Sequence, residues 1–400
     1  MKYVVLIGDG MGDYPLEELG GKTPLQAAST PAMDFLAREG ELGLVKTVPP
    51  GFEPGSDVAN LSILGYDPAS CYTGRGPLEA GSMGITLSPD DVAFRCNLVT
   101  LDFMAHGQVV MVDYSAGHIS TEEARAMVAD IRREVKVNGL TLYPGVSYRH
   151  LLVWAEGKEK LATVPPHDYT GKDVTAHWGV YEHDPNLINW IAQVLIILRD
   201  HPVNERRVKE GKKPANAVWL WGQGRMPYMP KFAERFGIQG AIISAVDLLK
   251  GIGVYAGLEP ITVPGATGYL DTNYQGKAEY ALAALKEKDL VVVHVEAPDE
   301  ASHGGDLEEK IKAIENFDRK VVRVVVDGLA EFGEHRILLV TDHYTPISVK
   351  THVSEPVPFA IFSSNRRGRT REAGFNEVSA KETGLFIRDG FKLMEKFIRI

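Results

Sequence analysis

Cysteine is scarce in this chain of 400 residues, which contains only Cys71 and Cys96. Two cysteines cannot form the disulfide framework that holds many small secreted proteins together, so a reducing, cytoplasmic location is expected. Long apolar runs are also missing, because the longest strongly apolar stretch, residues 190–198, is far too short to cross a bilayer. The N-terminal residues show no signal-peptide pattern. These absences predict a cytoplasmic enzyme or binding protein without a membrane partner.

An excess of positive charge is absent as well. The chain has 43 lysines and arginines against 53 aspartates and glutamates, a net charge of −10. Proteins that bind nucleic acids need a basic surface, so this balance argues against a nucleic-acid partner. Local clusters of arginine and lysine remain compatible with a small anionic substrate.

The hydrophobic pattern predicts an α/β fold. Apolar, β-branched runs at residues 3–7, 291–293 and 336–341 are typical of buried strands, and helical patterns lie between such runs. One of these patterns predicts a long amphipathic helix over residues 307–332. Strands that alternate with helices indicate a mostly parallel sheet covered by helices on both faces.

The length of the chain suggests two domains. The pattern of strands and helices changes near residue 88, and the initial alternation of strands with helices resumes near residue 241. We therefore predict that residues 1–80 and 235–400 form one α/β core, and that residues 81–234 form an inserted, smaller α/β domain. This insert has an ordinary domain size of roughly 150 residues. Because it leaves and re-enters the core, it is expected to act as a lid.

Several predicted strands are followed by side chains that can bind metal ions: Asp9, Asp299 with His303, Asp342 with His343, and His352 nine residues later. The carboxyl ends of parallel strands meet at one edge of a sheet, so these groups can converge. A turn or a helix cap would explain each aspartate separately. Mixed carboxylate and imidazole ligands suit Zn²⁺ or Mn²⁺ better than Ca²⁺, and six of them suffice for two ions.

Ser56 follows a Pro/Gly loop and begins a predicted apolar helix. The unpaired backbone N–H groups at a helix N-terminus also bind phosphate oxygens well, so Ser56 is a candidate nucleophile for attack on phosphorus. Taken alone, a serine in this position is more often a plain helix cap. A serine oxygen that bridged two metal ions would have a lowered pKa and could hold a phosphoryl group for in-line attack.

Several stretches, which run almost from end to end, resemble one family: GDGMGDYPLEELGGKTPLQAASTPAMD, PGSDVANLSILGYDP, YTGRGPLEA, AFRCNLVT, PDEASHGGD and TDHYTPISVKTH. They are similar to the cofactor-independent phosphoglycerate mutases of the shorter, archaeal type, within the alkaline phosphatase superfamily. The resemblance implies an alkaline-phosphatase-like three-layer sandwich. It implies that Ser56 becomes phosphoserine and also lies close to two metal ions. One ion would be bound by Asp299, His303 and His352, and the other by Asp9, Asp342 and His343.

The same resemblance implies a glycolytic isomerase that interconverts 3- and 2-phosphoglycerate without 2,3-bisphosphoglycerate. Two divalent ions are expected, Mn²⁺ ahead of Zn²⁺, Co²⁺ or Mg²⁺. Two anionic groups on a small phosphorylated substrate also call for basic donors. The candidates chosen by position are Arg95, Arg149 and Arg225 from the insert, Lys250 from the core, His118 as a phosphate contact and Asp168 as a base. An ion pair would explain each arginine as well.

A different activity on the same core is the alternative. The sequence is most similar to a bacterial subgroup of the family, for which a homoserine kinase role has been proposed; Met11, Asn60 and the pair Pro77 and Leu78 suit that subgroup. Nothing in the chain resembles a Walker A or kinase glycine loop. A kinase for homoserine, or a phosphotransferase or phosphatase for another small metabolite, would share Ser56 and the metal ligands. The core residues therefore do not distinguish these reactions.

Overall fold

The computed structural model describes residues 1–366 and 374–399. The strands are β1 (Lys2–Gly8), β2 (Glu41–Val45), β3 (Val92–Phe103), β4 (Val109–Asp113), β5 (Leu140–Tyr143), β6 (Arg149–Trp154), β7 (Ala217–Gly224), β8 (Gly240–Ile243), β9 (Glu259–Ile261), β10 (Leu290–Val295), β11 (His335–Thr341), β12 (Val357–Ser363) and β13 (Phe386–Ile387).

The α-helices are α1 (Pro24–Ala27), α2 (Pro31–Glu39), α3 (Ser56–Ile63), α4 (Pro68–Cys71), α5 (Arg75–Ser82), α6 (Thr121–Glu134), α7 (Thr175–Trp178), α8 (Pro185–Arg199), α9 (Pro202–Lys209), α10 (Phe232–Phe236), α11 (Asp247–Tyr255), α12 (Tyr274–Ala284), α13 (Ala297–Gly304), α14 (Leu307–Phe317), α15 (Arg323–Leu329), α16 (Glu377–Glu382) and α17 (Lys392–Arg399). Among the described residues, no helix has both the length and the apolar character needed to cross a membrane.

The chain divides into two compact units. The first contains residues 1–72 and 228–400, and the second contains residues 73–227. The sequence predicted boundaries at residues 80 and 234. Both lie a few residues later in the chain than the boundaries in the structure. Helix α5 explains the first difference, because it packs against β3 and β7 of the second unit.

The first unit is built on a sheet of eight strands in the order β13-β2-β12-β11-β1-β10-β8-β9. The pairs among β11, β1, β10, β8 and β9 are all parallel, and β12 runs antiparallel to both of its neighbours. This mostly parallel sheet confirms the predicted α/β fold.

Helices cover both faces of the central strands. Val4 and Leu6 of β1 point into one core together with Phe317 from the helical layer, whereas Val5 and Ile7 point to the opposite face and are equally inaccessible to solvent. Successive strand residues face opposite sides of a sheet, so complete burial of both sets requires a layer on each side. This arrangement explains why β1, β10 and β11 are apolar without alternation.

The second unit contains a separate, antiparallel sheet. Strand β3 pairs with β4, β6 and β7, and β5 pairs with β6. Its apolar core combines aromatic and aliphatic side chains from this sheet with those of α6 and α8, among them Phe94, Trp190 and Trp219. The unit therefore has a hydrophobic core of its own.

The long helix predicted over residues 307–332 is present, but its helical type changes along its length. A π-helical turn, Asp318–Val322, separates α14 from α15, and a 3₁₀ turn, Ala330–Phe332, follows. The side chain of Asp318 accepts hydrogen bonds from the backbone N–H groups of Ala32 and Met33, at 3.3 and 2.7 Å, at the start of α2. This contact between helices caps α2, and sequence periodicity does not reveal it.

A buried ion pair connects α14 to the loop after β1. Lys310 Nζ lies 2.8 Å from Asp13 Oδ2, and both side chains are fully inaccessible to solvent. The lysine also donates to the backbone oxygens of Gly12 and Thr345, at 3.3 and 2.9 Å. A buried charge that loses its partner is costly, so each member of the pair depends on the other.

We expect Lys310→Met to lower the free energy of unfolding by roughly 3–5 kcal/mol, because it leaves the Asp13 carboxylate buried without its cation. Denaturant titration measures this value. Lys312→Met is the matched control, since Lys312 is exposed on the same helix and its replacement should change stability by less than about 0.5 kcal/mol. Equal stability of the two variants would contradict the importance of the ion pair.

Candidate active site

Three neighbouring strands deliver carboxylates to one edge of the first sheet. Asp9 directly follows β1, Asp342 directly follows β11, and Asp299 lies in the first turn of α13, just after β10. The strands are parallel and adjacent, so their carboxyl ends lie side by side. All three carboxylates are buried.

Asp9, Asp342 and His343 form one group, whose ligand atoms all lie within 4.8 Å of one another. His343 Nε2 is 3.4 Å from Asp9 Oδ1 and 3.4 Å from Asp342 Oδ2. The other oxygen of Asp342 is held by the backbone N–H groups of Gly10, at 3.1 Å, and His343, at 2.9 Å. These bonds orient the Asp342 carboxylate within the group.

Asp299, His303 and His352 form a second group beside the first. His303 Nε2 is 3.1 Å from Asp299 Oδ2 and 3.0 Å from His352 Nε2, and His352 Nε2 is 3.6 Å from Asp299 Oδ1. The opposite ring nitrogen of His303, Nδ1, donates to the backbone oxygen of Lys350 at 3.0 Å. Ligand atoms of Asp299, His343 and His352 also lie within 4.8 Å of one another, so His343 is within reach of both groups.

Ser56 is the first residue of α3 and is only partly buried. Its Oγ lies 3.1 Å from His343 Nε2, the nitrogen that also faces Asp9 and Asp342. Asn60, one helical turn later, donates to the backbone oxygen of Ser56 at 2.8 Å and to Asp342 Oδ2 at 3.0 Å. The serine hydroxyl is therefore at the helix N-terminus and next to the carboxylates and imidazoles.

The carboxylates suit a divalent cation. Burial, followed by the charges of Asp342 and Asp299, raises the pKa of Asp9 well above its ordinary value. Asp9 Oδ1 is buried and has no hydrogen-bond donor among the described residues. For Asp299, burial opposes ionisation, but hydrogen bonds from His303 and His352 outweigh it and hold the pKa of this carboxyl well below its ordinary value. The ionised form of Asp9 therefore lacks compensation from protein donors, and a bound cation would provide it.

Two further side chains near this site, His294 and Asn60, were not predicted to be site residues. His294 Nε2 lies 3.0 Å from Asp9 Oδ2, and its Nδ1 is 3.3 Å from Ser244 Oγ. A histidine inside the apolar strand β10 is a signal that could have pointed to this position. Asn60 offered another signal, because its spacing of four residues from Ser56 places both on one helical face.

The second unit contains an arginine cluster around Trp221. The guanidinium carbon of Arg95 lies 4.3 Å from the centre of the Trp221 ring, and that of Arg75 lies 5.9 Å from it. Arg95 Nε is 2.9 Å from Glu79 Oε1. Burial lowers the pKa of Arg95; Glu79 opposes this change, and the charges of Arg75 and Arg149 add to it. Three neighbouring arginines therefore concentrate positive charge, and Arg75 was not among the residues chosen from the sequence.

His118 and Asp168 are exposed in the second unit. The ring of His118 packs edge-on against Tyr114 and Tyr148, with centroids 6.2 Å apart in each case. Asp168 lies in a 3₁₀ turn, Pro166–Tyr169, and its carboxylate is 3.6 Å from His167 Nε2. Both side chains are accessible to a ligand.

Arg225 and Lys250 have partners of their own. The guanidinium of Arg225 is 3.4 Å from Asp90 and 3.6 Å from Glu159, so the ion-pair explanation applies to it. Lys250 lies on α11 in the first unit, and its Nζ is 3.2 Å from the Asp247 carboxylate. These contacts favour a structural role for Arg225.

Comparisons with known proteins point to one family. A model of the family described as 2,3-bisphosphoglycerate-independent phosphoglycerate mutase matches residues 37–204. A relative with that name from Methanosarcina barkeri is 54% identical over 388 residues, which cover 96% of each chain. Nothing in these comparisons supports the homoserine kinase alternative.

Two solved structures resemble the whole chain. A protein from Pyrococcus horikoshii is 33% identical, with a TM-score of 0.83 and coverage of 99% of this chain and 97% of that one. The cofactor-independent phosphoglycerate mutase from Thermoplasma acidophilum is 26% identical, with a TM-score of 0.68 and coverage of 100% and 99%. Both similarities extend through the two units.

Proposed function

The chain belongs to the 2,3-bisphosphoglycerate-independent phosphoglycerate mutases, and we propose that it interconverts 3- and 2-phosphoglycerate through a phosphoserine at Ser56. Relatives with that name match it at more than half identity over nearly the whole length. The observation that best supports Ser56 as the nucleophile is the position of its Oγ, 3.1 Å from His343 Nε2, which faces Asp9 and Asp342.

Ser56 performs the first transfer as the nucleophile. Its Oγ attacks phosphorus, the bond between phosphorus and the 3-oxygen of the substrate breaks, and that oxygen leaves with a proton as a glycerate hydroxyl. The N-terminus of α3 places unpaired backbone N–H groups and the positive end of the helix dipole beside the phosphoryl oxygens. The product of this step is phosphoserine with bound glycerate.

The second transfer reverses the first at the neighbouring hydroxyl. The 2-oxygen of glycerate attacks the phosphoserine, the bond between phosphorus and Ser56 Oγ breaks, and the proton of the 2-hydroxyl returns to Oγ. Asp168 is the candidate base that accepts this proton from the incoming hydroxyl before it passes to Oγ. The reaction needs no co-reactant. Water must be kept away from the phosphoserine, because water would hydrolyse it.

Two divalent metal ions are part of the proposal. Asp9, Asp342 and His343 would hold one, and Asp299, His303 and His352 the other. When bound, such ions supply positive charge that lowers the pKa of the Ser56 hydroxyl and offsets the charge of the phosphoryl oxygens. Carboxylate and imidazole ligands are compatible with Mn²⁺, Zn²⁺ or Co²⁺, and we propose Mn²⁺ as the first to test.

Residues 73–227 are proposed to supply the donors for the carboxylate and phosphate of the substrate. The support is the arginine cluster, in which Arg75 and Arg149 lie close enough to Arg95 that their charges help to lower its pKa. Arginine forks bind planar or tetrahedral anions in a bidentate manner, and an anion would relieve the repulsion among three guanidinium groups. His118 and Lys250 remain candidates for phosphate contacts.

A coupled enzyme assay tests the proposed activity. Purified protein with Mn²⁺ and 3-phosphoglycerate should form 2-phosphoglycerate, detected through enolase, in the absence of 2,3-bisphosphoglycerate. Addition of isotopically labelled free glycerate should leave the product unlabelled, because the phosphoryl group returns to the same glycerate molecule. Absence of product from protein shown to contain divalent metal would contradict the proposal.

A further inference from the structure

The hydroxyl of Thr345 lies between the two ligand groups. It donates a hydrogen bond to Asp299 Oδ1 at 2.5 Å, and its oxygen is 3.2 Å from His343 Nδ1. Thr345 is fully buried, so water does not compete for either contact. Asp299 belongs to one ligand group and His343 to the other.

The two contacts determine which nitrogen of His343 carries hydrogen. A threonine hydroxyl has a single proton, and that proton is used in the bond to the Asp299 carboxylate. The contact with His343 Nδ1 is then a hydrogen bond only if Nδ1–H donates to the threonine oxygen. In the neutral imidazole this leaves the lone pair on Nε2, the nitrogen that lies beside Ser56, Asp9 and Asp342.

The backbone holds Thr345 in this position. Its N–H donates to the backbone oxygen of Gly12 at 3.1 Å, and its carbonyl accepts a hydrogen bond from the buried Lys310 at 2.9 Å. Two residues later, the N–H of Ile347 donates to Asp13 Oδ2 at 3.1 Å. The segment is therefore anchored to the loop after β1, and the hydroxyl has little freedom to turn away.

His303 has a different orienting partner. Its Nδ1–H donates to the backbone oxygen of Lys350, which any side chain at position 350 preserves. His343 depends on a side-chain hydroxyl instead. Partners that bind the far nitrogen of a metal-ligating histidine fix its tautomer and orientation, and their loss typically weakens metal binding.

We propose that Thr345 is a positioning residue that orients ligands of both metal sites at once, through the tautomer of His343 and the rotation of the Asp299 carboxylate. The proposal rests on the metal sites in the proposed function, although it does not depend on the identity of the substrate. Its consequence is that the two sites are coupled: loss of one hydroxyl weakens ion binding in both groups.

Thr345→Val and Thr345→Ser test the role of the hydroxyl. Valine has the shape of threonine without the hydroxyl, and serine keeps the hydroxyl without the methyl group. Calorimetric titration of metal-free protein with Mn²⁺ should show both dissociation constants raised about 10- to 100-fold in the valine variant. The serine variant should stay within about threefold of the original protein, and kcat should fall in the valine variant while KM for substrate changes little. Wild-type Mn²⁺ affinity at both sites in Thr345→Val would overturn the proposal.

A second measurement needs no substitution at Thr345. Nitrogen-15 NMR of the metal-free protein, with the His343 signals assigned by comparison with His343→Gln, should show hydrogen on Nδ1 of the neutral ring. Hydrogen on Nε2 would overturn the proposal even if the valine variant failed to fold. Both readouts are independent of turnover, so absence of mutase activity would defeat the proposed function while these results still decided the role of Thr345.

Discussion

Ser56→Ala is expected to abolish phosphoglycerate mutase turnover. The substitution removes the oxygen that forms the bond to phosphorus, and no other group can replace a nucleophile in a two-step transfer, so a loss on the order of 10⁴-fold or more is expected. The coupled assay with 3-phosphoglycerate measures this loss. Mass spectrometry should detect a phosphoryl group on Ser56 in the original protein after rapid acid quenching, and none at position 56 in the variant.

Ser62→Ala is the matched control for this prediction. Ser62 lies on the same helix, α3, is fully buried, and its hydroxyl has no hydrogen-bond partner among the described residues. Its replacement should leave turnover unchanged. The Ser56 variant should keep its circular dichroism spectrum and still bind Mn²⁺, since the proposed sites have six other side chains as ligands. Substantial mutase activity in Ser56→Ala would exclude the serine as the nucleophile.

Removal of metal is expected to have the second large effect. Asp9, Asp299 and Asp342 are three buried carboxylates in one site, and the proposed reaction develops further negative charge beside them. Metal ions supply several kcal/mol of transition-state stabilisation, so dialysis against a chelator should reduce turnover by roughly 10³-fold or more. Addition of Mn²⁺ in excess of the chelator should restore it, and parallel additions of Zn²⁺, Co²⁺ and Mg²⁺ would rank the ions.

The same treatment should lower thermal stability. A ligand that binds only the folded state at 1,000 times its dissociation constant contributes about 4 kcal/mol, and mutual repulsion of the carboxylates is relieved at the same time. Differential scanning calorimetry with and without Mn²⁺ measures the change. A sample that contains the chelator together with Mn²⁺ in excess controls for effects of the chelator itself. Full turnover by protein shown to be free of metal by elemental analysis would contradict a metal-dependent mechanism.

Positions of single candidate residues were predictable because the relevant signals are local. An apolar run followed at once by Asp9 or Asp342 identifies a buried strand and the end of that strand in a few consecutive residues. The order of the strands was not predictable in this way. The structure places β11, β1 and β10 side by side, and this adjacency brings the two aspartates together with Asp299.

Other features depended on contacts between distant parts of the chain. Arg75 is near Trp221 because α5 packs on β7 in the second unit, although the sequence pattern placed a boundary after residue 80. The π-helical turn contains Asp318, which accepts a hydrogen bond from Met33 in α2, nearly three hundred residues earlier. Such contacts leave no periodic signal in the sequence near either residue.

By itself, the sequence determined the α/β class and the family and supplied the candidate site residues, because burial of apolar strands and the chemistry of serine, aspartate and histidine are properties of short segments. Only the tertiary structure decided which of these residues contact and orient one another. The hydroxyl of Thr345 contacts His343, two residues away, and Asp299 in the first turn of α13, and its role exists only when β10 and β11 lie on either side of β1. Hydrogen bonds require atoms to be within about 3 Å, and folding alone sets that distance.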